Sequence, residues 1–104
     1  MAGGEVDITK RLDARQACKL VKVAREHGNV AFPDHAQKAM EDDDLIERDV
    51  DNVLRCGAIY EEPKLFRGTW RYRVETNRIC VVVAFLSATE VVVVTVWRKG
   101  GIGR

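Results

Sequence analysis

The chain is poor in the residues that mark disulfide scaffolds and metal centres. Its 104 residues include three cysteines, Cys18, Cys56 and Cys80, an odd number with no Cys-x-x-Cys spacing. No disulfide framework is indicated, which fits a reducing cytoplasm. The two histidines, His27 and His35, have no cysteine placed to complete a zinc set, so neither a metal nor a cofactor is expected. The longest apolar run, residues 79–86, is eight residues long, and a membrane-spanning helix needs about 20. No apolar stretch follows the opening Met-Ala-Gly-Gly-Glu. The expectation is therefore a cytoplasmic protein with no signal peptide and no membrane partner.

The chain does have an ordinary apolar content, 46%, enough for one modest core. It reads as a single domain over 1–104, with 1–6 and 99–104 flexible. The net charge of +1 conceals an asymmetry. Residues 1–62 carry nine Lys/Arg against fourteen Asp/Glu, and residues 63–104 carry eight against two. A basic second half either solvates one side of a sheet or meets an anionic partner.

The first half has helical period. Asp7 is a plausible cap for a helix running to His27 and stopped by Gly28. Ala17, Leu20 and Ala24 share its apolar side, flanked by Leu12 and Val23. Arg11, Arg15, Lys19 and Lys22 form a stripe on the far side, either solvated or a contact for nucleic acid or an acidic partner. Residues 30–32 are short and apolar. Pro33-Asp34 opens a second helix, about 35–41, with Ala36, Ala39 and Met40 facing inward. The acidic run 41–44 suits the start of a third helix, with Asp44-x-x-Glu47 at capping-box spacing. That helix buries Leu45, Val50, Val53 and Leu54 and ends at Gly57.

The period then changes to two. A short strand is expected over 58–61, and Pro63 confines the residues around it to an edge or a loop. Arg67-Gly68 is a turn. The stretch 69–97 holds four of the seven aromatic residues and the densest valine runs. It predicts a meander of strands 69–75, 78–86 and 90–98. A two-residue loop at 76–77 would pair Glu75 with Arg78 and set Arg73 opposite Cys80. Arg71 and Arg73 then face one way, and Trp70, Tyr72 and Val74 the other. The second loop decides the place of Thr95. Pairing Leu86 with Glu90 puts Thr95 with Trp70 and Tyr72, whereas pairing Ser87 with Glu90 puts it with the arginines. The order, helices and then meander, predicts an α+β domain with helices on one sheet face.

The stretches GNVAFPDHAQKAMEDDDL, DVDNVLRCG, GTWRYRV and VVVVTVWRK together resemble a family of small domains of unknown function close to the MqsR and RelE-type toxins of bacterial toxin–antitoxin systems. The resemblance covers about residues 15–99. It implies a RelE-like fold, N-terminal helices packed on a twisted antiparallel sheet of three to four strands. It also implies a toxin that cleaves RNA, free or as ribosome-bound mRNA, without a metal, and is held inactive by a cognate antitoxin. Catalytic roles would fall to His35, Arg71 and Thr95, and substrate contacts to Tyr72, Arg73 and Arg98. The chemistry suits these residue types. An imidazole moves protons near neutral pH, and a guanidinium holds phosphate through a charged fork. A phenol can stack a base. One departure is that many family members carry arginines in the second helix, near the positions of Ala39 and Asp43, and this chain has none there. Relatives of the fold also include non-cleaving inhibitors of DNA gyrase, so a ParE-like inhibitor or a non-catalytic interaction module is the alternative.

Overall fold

The structure is a computed structural model and describes residues 6–99. The ends expected to be flexible lie outside these residues except for Val6 and Lys99, and Lys99 is held by Glu75 and the Thr76 carbonyl. The elements run α1 (Ala14–His27), β1 (Asn29–Ala31), α2 (Asp34–Asp42), α3 (Glu47–Cys56), β2 (Lys64–Phe66), β3 (Thr69–Glu75), β4 (Ile79–Ser87) and β5 (Glu90–Arg98). The class is mixed α+β, as expected. The sheet, however, has five strands in the order β1-β5-β4-β3-β2, not three to four. The additions are three-residue edge strands at either side. β1 pairs parallel to β5, and β2 pairs antiparallel to β3. Three residues are too few to carry a period-two signal. The strand expected at 58–61 reduces to one bridge, Ala58 to Glu75.

The helix starts also move. Asp7 closes a local turn, accepting from the Thr9 N–H at 3.0 Å. The cap of α1 is Asp13, whose carboxylate accepts from the Gln16 N–H at 2.8 Å. Val21, not Val23, completes the buried side with Ala17, Leu20 and Ala24. Asp44 does not cap α3 but sits in the left-handed region at φ 56°. Asp49 instead reaches back to accept from the Ile46 N–H at 2.9 Å.

The core lies between one sheet face and α1 with α3. Val50, Val53 and Leu54 of α3 and Ala17, Leu20, Val21 and Ala24 of α1 are buried in one cluster with Tyr72, Val74, Val81, Val83, Phe85, Val91, Val93 and Val96. Gly28 lets α1 end against the last hairpin. A β-carbon there would collide with the Thr89 carbonyl, and that same oxygen accepts from the Asn29 N–H at 3.0 Å. α2 packs against β5. It buries Ala36 and Met40 and leaves its outer side to solvent.

Register positions the opposite sheet face. The β3–β4 connection is wider than two residues. Glu75 pairs with Cys80 and Arg73 with Val82, and the Thr76 hydroxyl accepts from the backbone of Arg78 and Ile79. The shift is two residues, so no side chain changes face. Between β4 and β5, Ser87 pairs with Glu90, and the register slips once near Leu86 and returns near Val94. The two bulges cancel. Thr95 therefore pairs with Val82, which pairs with Arg73. Thr95 joins the arginines.

Candidate functional site

The face turned away from α1 and α3 carries Arg71, Arg73 and Glu75 from β3, Cys80, Val82 and Ala84 from β4, and Val92, Thr95 and Trp97 from β5. Strand alternation puts them there. At one end this face is closed by charge pairing. Glu75 is buried, and its Oε1 accepts from Lys99 Nζ at 2.7 Å. The Arg73 guanidinium donates to Glu61 Oε1 at 3.0 Å and lies 5.3 Å from the Trp97 ring centroid. Its Nε is buried without a hydrogen bond of good geometry, with Glu75 Oε2 at 3.7 Å. Burial opposes the charge on Arg73. The Cys80 sulfur, Glu75 and Glu61 outweigh it, so the guanidinium's pKa lies above the usual arginine value. Beneath it, burial pushes the Cys80 thiol up, and Arg73 offsets this only in part. Arg73 is thus a fixed part of the wall.

Arg71, two residues earlier on the same strand, is differently placed. It meets no carboxylate within ion-pair distance among the described residues. Its guanidinium carbon instead lies 4.2 Å over the ring of Phe66, and that of Arg67 lies 5.2 Å from the same ring. Phe66 reaches this position because Arg67-Gly68 turns the β2–β3 hairpin in two residues, with φ of 51° and 82°. Such a turn favours glycine at its second position. The Phe66–Arg71 pair stands as a ridge between two grooves. One, of about 360 Å³, has Lys64, Arg73 and Trp97 in its walls. The other, of about 340 Å³, has an apolar floor of Ala84, Val92 and Val94, and His35 in its wall.

The six residues proposed from the sequence separate into three groups. His35, exposed in the first turn of α2, and Arg71 line the same groove. Thr95 shares their sheet face, in the row of Val82 and Arg73. Tyr72 does not reach this face. It is 1% exposed in the core, its hydroxyl accepts from the Leu12 N–H at 3.0 Å, and its ring meets Phe85 edge-on. Burial raises its pKa above the ordinary phenol value. A ring so placed holds the chain before α1 to the sheet and cannot stack a substrate base. Arg98 is also occupied. Its side chain donates to the carbonyls of Asp43 and Asp44, each at 2.9 Å, and its backbone N–H donates to Asp43 Oδ2 at 2.7 Å. It closes the C-terminal end of α2, where cations are favoured.

Phe66 does not stand out in the sequence. The available signal is a large apolar residue beside a turn on a strand confined to an edge. Among the described residues, no group of three His, Cys, Asp or Glu side chains is placed to hold a metal ion. No helix among them is long and apolar enough to cross a membrane.

Residues 32–98 match the family model described as a domain of unknown function, DUF4258. That span contains all of β2 to β5, with His35, Phe66, Arg71 and Thr95. No curated protein and no solved structure matches the chain.

Proposed function

The chain belongs to the DUF4258 family of domains of unknown function, and from that premise we propose a RelE-like, metal-independent endoribonuclease acting as the toxin of a toxin–antitoxin pair. The observation that carries the reading is the shared groove of His35 and Arg71 on the open sheet face, with Thr95 on the same face. An imidazole and an unpaired guanidinium together can serve RNA cleavage by its own 2′-hydroxyl. His35 takes the proton of a 2′-hydroxyl. The 2′-oxygen bonds to phosphorus while the bond from phosphorus to the 5′-oxygen breaks. Arg71 holds the added negative charge on the phosphoryl oxygens, the kind of fixed countercharge that supplies the largest catalytic contribution. The leaving 5′-oxygen collects a proton from the imidazolium or from water. The products are a 2′,3′-cyclic phosphate and a 5′-hydroxyl. The apolar floor of the groove lowers water's competition for these contacts.

Purified protein incubated with RNA in EDTA, with and without ribosomes, tests this. His35→Ala should slow cleavage by about 100-fold or more, and Arg71→Ala by about 100- to 1,000-fold, with circular dichroism unchanged. Cleavage unaffected by both substitutions would remove the site. An antitoxin would act by covering the open face or the α1 stripe of Arg15, Lys19 and Lys22.

A second reading, a non-catalytic module or ParE-like inhibitor of the same fold, draws on Arg73 and Arg98. Both are committed to partners within the chain, and α2 has no arginine in its place. Loss of RNA cleavage under every condition, with tight capture of a protein partner, would favour it.

A further inference from the structure

We propose that the open face binds two successive unpaired nucleotides of a single-stranded RNA, one in each groove, with the Phe66–Arg71 ridge between them. This rests on the ribonuclease reading and adds its substrate class. Phe66 is 46% exposed on a two-residue hairpin and borders one groove together with the 58% exposed Leu86, and neighbouring exposed apolar side chains mark a binding surface. Two guanidinium groups lie against it, at 4.2 and 5.2 Å. Neither meets a carboxylate among the described residues. An aromatic ring and guanidinium planes beside free positive charge are the surface on which splayed bases stack. Bases inside a duplex are already stacked and offer only their edges. Grooves of about 360 and 340 Å³ on the two sides of the ridge give adjacent bases separate seats. The phosphate joining them then crosses the ridge at Arg71, with His35 in the wall of one seat and Trp97 in that of the other.

The test uses the full chain and a fluorescent RNA oligonucleotide carrying 2′-O-methyl riboses, which cannot be cleaved. Binding is read by anisotropy for the single strand and for the same strand annealed to its complement. The expected result is a preference for the single strand of about ten-fold or more, lost in Phe66→Ala and kept in Phe66→Trp. Equal binding of both forms, or Phe66→Ala binding the single strand as well as the parent protein, would overturn the stacking site. The separate cleavage assay distinguishes the two failures. Cleavage at Arg71 and His35 that persists in Phe66→Ala, with no change in binding, overturns this inference alone. A protein that binds neither form of RNA overturns this inference, and the ribonuclease reading falls with it only if cleavage is also absent with and without ribosomes.

Discussion

Arg71 and Arg73 share a strand and a face, yet their surroundings divide their roles. Arg73 is held by Glu61, Glu75 and Trp97, whereas Arg71 rests on a ring and keeps its charge available. Tyr72, between them, points into the core. Tyr72→Phe would leave the Leu12 N–H without its acceptor, a loss of about 1–3 kcal/mol for a buried donor. Chemical denaturation should show that loss, while RNA cleavage by the folded protein stays at the parent rate. A fall in cleavage without a fall in stability would instead give Tyr72 a substrate role. Alternation along β3 made the division of faces legible in the sequence. The commitment of Arg73 was not, because its partner Glu61 lies twelve residues earlier in a loop with no periodic signal.

At the scale of elements, α2 is clamped at one end and open at the other. Arg98 ties its C-terminal carbonyls to the end of β5, and His35 lies in its first turn, in the wall of the groove. Arg98→Ala should lower stability by about 1 kcal/mol, the usual net worth of such hydrogen bonds, measurable as a shift in denaturation midpoint. RNA affinity of the folded protein should not change, and a selective loss of affinity would return Arg98 to the substrate site. The three helices and the long strands β3, β4 and β5 were legible from period and punctuation. β1 and β2 were too short for that. The side occupied by Thr95 depended on two bulges that cancel, and a bulge depends on twist and packing across strands rather than on local composition. The parity that resulted matches a simple two-residue turn.

At the scale of the whole molecule, the basic half of the chain forms the open face and its hairpin, and the acidic half forms much of the helical side. The fold also buries two acids in neutral form, Tyr72 in the core and Cys80 beneath Arg73 on the opposite sheet face. Burial raises both the Cys80 thiol and the Tyr72 phenol above their ordinary values of 9.0 and 10.0. The unfolded chain ionises at those ordinary values, while the folded chain holds its protons to higher pH. The contribution of these two groups to stability is therefore fully present below pH 9.0 and is lost as pH rises through the raised folded values. Thermal melts across the alkaline range should show this fall, reduced in Tyr72→Phe and in Cys80→Ala. A flat profile would mean that neither group is buried in solution as it is here. The most direct test of the functional claim is the chemistry of the RNA ends produced by purified protein in EDTA. The expected result is fragments with 2′,3′-cyclic phosphate and 5′-hydroxyl termini, absent when His35→Ala or Arg71→Ala replaces the parent protein. Intact RNA with and without ribosomes, or fragments with 5′-phosphate ends, would contradict it.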